Sequence, residues 1–272
     1  HSVSMTASRR PSWRGSDQRE DTIAKDITYV NLFTPRRRFD ERKPEMIDWP
    51  DADPELLRGE LHNLRLINVR IGSLTLVRDA VLSLAAGLDP SHTVDILDLA
   101  TGSADQPAAL VETLRRAGRR VSITAIDKNP VILDAARAFA GHVPGIRFEQ
   151  RDILALPYPD RSVDIAICSL ALHHFSRAQA VTILREMNRL SRVGFVVHDL
   201  RRSYPAAIGA WIYTHLTTTN IMTRRDAVMS VMNAFTRQEL REMADEAGVG
   251  DADVWDAPRF RLMVVGRTRR PT

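Results

Sequence analysis

Three aspartates each follow a short apolar run, where they could meet a polar ligand. They are Asp98 in Val94-Asp-Ile-Leu-Asp98, Asp127 after Val121-Ser-Ile-Thr-Ala-Ile126, and Asp152 in Gln150-Arg-Asp152-Ile153. The first opens a small-residue turn, Leu99-Ala-Thr-Gly102-Ser-Ala104-Asp105, followed by a helical pattern from Ala108 to Leu114. Strand, small-residue loop and helix let a ligand approach bare backbone at a helix N-terminus. A dinucleotide would want three glycines as G-x-G-x-x-G. The register here is Gly102-Ser-Ala104-Asp-Gln-Pro107. Asp98 and Asp105 would also repel a pyrophosphate. The loop therefore suits a ligand without phosphates that carries a cationic or amine-bearing part.

S-adenosylmethionine, with its ammonium, carboxylate and sulfonium, is such a ligand. Asp98 can face the ammonium, directly or through water. The backbone of Ala100, Thr101 and Gly102 can approach closely because the side chains are small. Asp127 stands 25 residues after Gly102, where an acid can accept both ribose hydroxyls. Asp152 can accept a hydrogen bond from the adenine amine, with Ile153 packed on the ring. Lys128, Ser169 and Leu170 complete the expected cofactor contacts. One Asp after a strand is commonly a helix cap; three at successive strand ends point to the cofactor. No metal is expected; the single cysteine, Cys168, excludes thiol-based zinc sites and internal disulfides.

Methyl transfer is an in-line displacement, so alignment supplies much of the acceleration. An oxygen or carbon acid acceptor must also lose a proton, and histidine is the natural base near neutral pH. The candidates are His173 and His174 after the fourth strand, His198 ending the fifth, and His215 beyond it. His174 or His198 is the expected base, since both loci are strand carboxyl ends. Asp199, Arg201 and Arg202 could orient an acidic acceptor or form a salt-bridged loop. Trp211, Tyr213, Met222 and Met229 could line an apolar pocket or be plain core.

The elements that must position these residues alternate. Strands at 94–98, 121–127, 146–148, 163–168 and 194–198, with helices between them, argue a parallel sheet covered on both faces. Asn129-Pro130 caps a helix, and Thr236-Arg-Gln-Glu239 is a capping box. Residues 253–255 and 259–265 read as a final antiparallel pair. Asp53 and Pro54 start a helix cleanly, and a second helical stretch runs to about Ala86. The expected organisation is a loosely ordered segment over 1–50, with a docking element at Ile27–Phe33 and a solvated charge run at Arg36-Arg37-Arg38. A helical lid or edge over 51–90 follows, then the main domain over 91–272. A helical insertion at 203–233 would lie over the strands' carboxyl ends.

The chain has 272 residues, 44% hydrophobic and 26% charged, enough for one large domain with a helical addition. No apolar run approaches the ~18 residues of a membrane span. His1-Ser-Val-Ser before Met5 reads as a cloning remnant, and the polar, basic start does not read as a signal peptide; a cytoplasmic location is expected. From Arg259 onward there are five Arg and no acid, which accounts for the net charge of +4. The near-neutral remainder argues against a dedicated nucleic-acid binder.

The motifs 98–105 (DLATGSAD), 125–129 (AIDKN) and 150–175 (QRDILALPYPDRSVDIAICSLALHHF), with the capped helix and final strand pair, resemble the class I S-adenosylmethionine-dependent methyltransferases. The resemblance covers about Val94 to Val265. It implies an α/β fold, doubly wound on a mostly parallel seven-stranded sheet with a reversed last strand, and it implies the cofactor contacts above. The first motif departs from the family pattern, which has Gly where Ala100 and Ala104 stand, so the loop is expected to avoid positive φ there. Within the family the chain looks most like the ubiquinone/menaquinone-methyltransferase-like, small-molecule branch. Leu56–Ile71 and His198-Asp-Leu-Arg-Arg202 are similar to tailoring methyltransferases encoded beside bacterial polyketide genes. The Asn/Asp-Pro-Pro-aromatic motif of enzymes that methylate base nitrogens is absent from Ser169-Leu-Ala-Leu-His173-His174.

The expected function is methyl transfer to oxygen, or to activated carbon, of a small, partly apolar acceptor of phenolic, polyketide-like or quinone-like type, by a monomer or homodimer. The alternatives are an RNA or protein methyltransferase docking through its Arg-rich tail, and a subunit that holds the cofactor without turnover.

Overall fold

Period-two burial builds the centre of the molecule. A computed structural model describes residues 33–268. In strand β1 (Thr93–Leu99), Val94 and Ile96 face one helical layer while Leu97 and Leu99 face the other. The same split recurs in β4 (Val163–Ser169), with Ile165 and Ile167 opposite Ala166 and Cys168. Near-continuous apolar strands of this kind fit a sheet with both faces covered. With β2 (Arg120–Asp127), β3 (Ile146–Gln150), β5 (Ser191–Leu200), β6 (Asp253–Ala257) and β7 (Arg261–Arg267), the sheet has seven strands in the order β3-β2-β1-β4-β5-β7-β6. The first five pair in parallel, and β7 runs antiparallel to both β5 and β6. This is the expected α/β, doubly wound topology. Its order reverses between β1 and β4, where open α/β sheets bind ligands.

Helix starts follow their local sequence. Asp53 caps α1 (Pro54–Arg70) by accepting from the amides of Glu55 and Leu56. After α2 (Ser73–Ala85) and α3 (Asp105–Arg116), Asn129 caps α4 (Pro130–Ala140) in the same manner. Capping boxes open α5 (Arg177–Leu190) from Ser176 and Gln179, and α8 (Arg237–Glu246) from Thr236 and Glu239. Each such cap satisfies backbone donors that the first helical turn leaves unpaired.

The 203–233 insertion is a pair of helices, α6 (Tyr204–Thr217) and α7 (Ile221–Asn233). Its apolar pattern divides otherwise than expected. Met222 is buried with Leu57, Leu61 and Ile132, whereas Ile208, Trp211, Ile212, Leu216 and Ile221 are exposed. Helix α7 packs on α1, on the 3-10 turn Leu172–His174 after β4, and on a 3-10 turn at Met46–Asp48. The Asn63 amide donates to the hydroxyls of Thr218 and Thr223, and the Asn220 amide donates to the carbonyl of Leu56. Helix α1 and the insertion therefore form one cover over the carboxyl end of β4.

Residues 34–50 correct the expectation of a loosely ordered segment. The Arg37 guanidinium donates to the carbonyls of Asn233, His173 and Phe175 and lies over the rings of Phe39 and Phe235. A guanidinium with carbonyl partners and two aromatic faces is a clamp, in place of the solvated charge run expected at 36–38. The carbonyl of Pro35 accepts from Arg202, and Ile47 donates its amide to Asp226. The docking element expected at 27–33 lies almost wholly outside the described residues, as do the last four of the tail. No helix among the described residues is long and apolar enough to cross a membrane.

Candidate active site

On one side of the switch point the strand ends carry the expected acids. Asp98 is 2% exposed, and its Oδ2 has no hydrogen-bond partner among the described residues. Burial pushes its carboxyl up to about 7 against the lowering influence of the nearby Thr101 hydroxyl, with the charges of Asp105 and Asp127 adding to the rise. A buried, unpartnered carboxyl oxygen is costly unless a ligand supplies a donor. Asp127 is also buried; its Oδ2 accepts from the amide of Gly102 at 3.2 Å and its Oδ1 from the amide of Asn129. Burial raises its pKa against those two bonds. Asp105 is held by Asn68 of α1 at 2.9 Å, so the helical cover reaches the loop itself.

The loop between Asp98 and Asp105 corrects one expectation. Ala100 has φ 54°, Ala104 has φ 59° and Gly102 has φ 55°. All three occupy the left-handed region, where a Cβ costs about 1–2 kcal/mol. The backbone path that glycine would favour is kept, and strain at two alanines is the consequence. Ala104 is fully buried against Ala136 and Ala140 of α4, so its methyl has a packing role that glycine lacks.

Of the remaining expected cofactor residues, Thr101 and Ile153 are buried and Ser169 and Leu170 are half-buried. Leu170 also takes a positive φ of 54°, its amide donating to the carbonyl of His198. Asp152 is exposed and caps its own turn through the amide of Leu154. Lys128 is exposed beside Asp127, its carbonyl accepting from Gln150.

The other side is assembled from distant segments. His173 and Asp199 form a buried pair with Nδ1 to Oδ1 at 2.6 Å, and Asp199 also accepts from the amide of His173. Desolvation opposes ionisation of Asp199, but His173 beside it holds its carboxyl below the usual range. His174 has its Nδ1 2.7 Å from Asp48 Oδ2 and its Nε2 3.8 Å from Glu45 Oε2. Burial would lower this imidazole, but Glu45 and Asp48 raise it to about 10. Glu45 is itself buried and accepts from the Ser230 hydroxyl at 2.5 Å and the Asn233 amide at 3.3 Å. Asp48 is close enough for its charge to act on Asp127, which joins the two sides.

His198 does not fit the role expected of it. It is 0% exposed, its Nδ1 lies 3.1 Å from the Ser169 hydroxyl, and burial with Arg261 nearby lowers it to about 3. An imidazole sealed between β4 and β7 cannot touch an acceptor, so it is withdrawn as the base. His215 is exposed on α6 and bonded to the carbonyl of Trp211. Of the charged residues after β5, Arg202 is buried against Pro35, Ala234 and Glu239, and Arg201 pairs with Asp256. The salt-bridged alternative is the one realised for both. Cys168 is a buried strand residue. Glu45 and Asp48 were not indicated by the sequence, because Glu41-Arg-Lys-Pro-Glu45 carries no spacing that ties it to a histidine pair 128 residues away.

Known proteins agree with this geometry. Residues 96–194 match the family model described as a methyltransferase domain. The chain is 40% identical over 82 residues to a demethylmenaquinone methyltransferase of Deinococcus radiodurans, which is 30% of this chain and 32% of the relative. It is 34% identical over 102 residues to a ubiquinone/menaquinone biosynthesis C-methyltransferase of Xanthomonas oryzae pv. oryzae, 36% of this chain and 38% of the relative. The matching region thus spans about a third of the length of these relatives. Among solved structures, the CurJ carbon methyltransferase superposes with a TM-score of 0.61 at 12% identity, covering 80% of this chain and 61% of that one. That likeness is one of fold. Sheet order, matched domain and strand-end acids agree: residues 96–194 are similar to a methyltransferase domain, set on a sheet of the methyltransferase fold.

Proposed function

We propose that the protein transfers the methyl group of S-adenosylmethionine to an oxygen or an activated carbon of a small, partly apolar acceptor, phenolic, polyketide-like or quinone-like in type. The observation that carries the reading is the buried, unpartnered Oδ2 of Asp98 at the switch point, which asks for a cationic donor. The cofactor, when bound, supplies an electrophilic methyl on a sulfonium. Asp98 would hold its ammonium, and the backbone of Ala100 to Gly102 would line it closely. Asp127 would accept the ribose hydroxyls, with Lys128 beside it. Asp152 and Ile153 would meet the adenine, and Ser169 and Leu170 would border the reacting end. Helix α1, the insertion and residues 34–50 cover this end of the sheet, and such a cover excludes water while the acceptor is held.

Support for a small acceptor comes from that cover, which packs on the turn after β4. The printed names of the relatives, a demethylmenaquinone methyltransferase and a C-methyltransferase of ubiquinone and menaquinone biosynthesis, favour a quinone-like ring with carbon as the methylated atom. Of the two expected bases, His174 would stand with His173 and Glu45 in a polar wall that the reacting end of the acceptor faces. Calorimetric titration with S-adenosylmethionine, followed by methyl-transfer assays on quinol and phenol acceptors, tests the reading. Saturable cofactor binding with transfer to at least one acceptor is expected; no binding of the cofactor would overturn it.

A further inference from the structure

The polar wall opposite Asp98 has a donor set that the methyl-transfer reading does not use. One ligand-type atom from each of Glu45, His173 and His174 lies within 4.8 Å of the other two. Glu45 comes from the N-terminal segment, and the two histidines come from the 3-10 turn after β4. Neither imidazole is free to turn. The Nδ1 of His173 is bonded to Asp199 at 2.6 Å, and the Nδ1 of His174 to Asp48 at 2.7 Å. In a neutral ring whose Nδ1–H is donated to a carboxylate, the lone pair is on Nε2. Histidine ligands of metals are held in this way, the other ring nitrogen donating to a carboxylate that sets tautomer and direction. The third residue is fixed as well, since Glu45 accepts from Ser230 and Asn233. Among the described residues the ion-pair partner of Glu45 is His174, at 3.8 Å, and no Lys or Arg reaches it.

Charge favours the same occupant. Glu45, Asp48 and Asp199 bring three carboxylates against two imidazoles. The neighbouring cations Arg37 and Arg261 bear on Asp199, and Lys128 bears on Asp48, all from outside the triangle of ligand atoms. We propose that Glu45, His173 and His174 bind one divalent transition-metal ion of the zinc, iron or manganese class, and that its open positions take an oxygen of the acceptor. Two imidazoles and one carboxylate with room for further ligands are a donor set typical of such ions. Ligands at about 2.1 Å from an ion stand about 3–3.4 Å apart, so separations of up to 4.8 Å need to close by at most about 1.4–1.8 Å. The ion also gives the N-terminal segment a reason to cross the strand ends, since it supplies one ligand and, through Asp48, orients another.

The assignment to the acceptor rests on the methyltransferase reading. An acceptor hydroxyl bound to the ion releases its proton to water more readily, and the oxyanion stays on the metal. The phenolate or enolate so formed is the nucleophile for transfer at oxygen, or at the carbon conjugated with it.

The test uses the full chain stripped with a chelator and titrated with Co2+ and then Zn2+. One equivalent of Co2+ should bring a visible absorption band, and Zn2+ should displace it. Glu45→Gln and His174→Ala should lose the band, whereas Asp48→Asn, which keeps all three ligands, should weaken binding about 10- to 100-fold. Circular dichroism and titration with S-adenosylmethionine on the same preparations show that the variants are folded. Wild-type protein that binds S-adenosylmethionine but neither ion at micromolar concentration overturns the metal site, makes the triangle a buried ion pair, and leaves the methyltransferase reading intact. A one-equivalent band in protein that fails to bind S-adenosylmethionine upholds the metal site and overturns that reading instead. A band retained by Glu45→Gln and His174→Ala together overturns the assignment of ligands.

Discussion

The two halves of the site are built by different means. On the cofactor side, Asp98 and Asp127 lie on adjacent strands joined by parallel pairing of β1 with β2, with Gly102 in the loop after β1, all within 30 residues. On the acceptor side, Glu45 and Asp48 meet His173, His174, Ser230 and Asn233 across sequence separations of 126 to 188 residues. The first half is held by a sheet with both faces covered. The second depends on a segment of irregular chain fastened by Arg37 and by buried polar bonds. Local stability follows buried apolar contact, so the second half should open first.

The largest effect is expected on the cofactor side. Asp98→Ala should weaken binding of S-adenosylmethionine about 10- to 150-fold, toward the upper end because the site is desolvated, since charged hydrogen bonds are worth about 1.5–3 kcal/mol. The same residue gives a pH signature. With its carboxyl raised to about 7, wild-type affinity should fall as pH drops through 7, because protonation removes the charge that meets the ammonium. Calorimetry between pH 6 and pH 8 reads this, and a flat profile in wild type would remove Asp98 from the contact.

Next in size is the fastening of the N-terminal segment. Arg37→Ala leaves three carbonyls without their partner. Buried unsatisfied groups cost about 1–3 kcal/mol each, relieved in part by water. A loss of about 3 kcal/mol is expected, seen as faster proteolysis within 38–50 while the sheet core keeps its hydrogen-exchange protection. Equal loosening of both would erase the contrast between the halves.

A smaller effect tests the cover. Glu60 of α1 is 2% exposed and burial raises it to about 7. A carboxyl raised on folding binds its proton more tightly in the folded state. Stability is therefore greatest below the unfolded value near 4.5, declines as pH rises, and levels off above about 7, by at most about 3 kcal/mol. Glu60→Gln should flatten the decline of melting temperature between pH 5 and pH 8.

The smallest effect concerns the loop. Ala100→Gly should stabilise the fold by up to about 1 kcal/mol, as relief of left-handed strain outweighs the added chain entropy. Ala104→Gly should gain less or lose, because its methyl packs on Ala136 and Ala140. Equal shifts in thermal unfolding for the two would show that strain alone governs the loop.

The sheet was legible because its signals are local. Period-two apolar runs, the caps at Asp53, Asn129 and Thr236, and the turn after Asp98 each act within a few residues. Side-chain direction on the acceptor side was not. Helix α6 carries an apolar stripe that periodicity alone assigns inward, yet Trp211, Ile212 and Leu216 face outward and Met222 of α7 fills the seam with α1. His174 and His198 look alike as histidines near strand ends, but one lies under the N-terminal segment and the other is sealed in the sheet.

By itself the sequence determined the doubly wound sheet, its helical additions, the likeness to a methyltransferase domain and the acids at the first strand ends, since these follow from periodicity, caps and a contiguous motif. Tertiary structure decided what local sequence does not encode. It decided that two alanines accept positive φ, that Arg37 is a half-buried clamp, and that Glu45 and Asp48 reach the histidines after β4. Those outcomes depend on which surfaces remain to be covered once the sheet has formed. The N-terminal segment satisfies buried polar groups there that no neighbouring residue in the chain could reach.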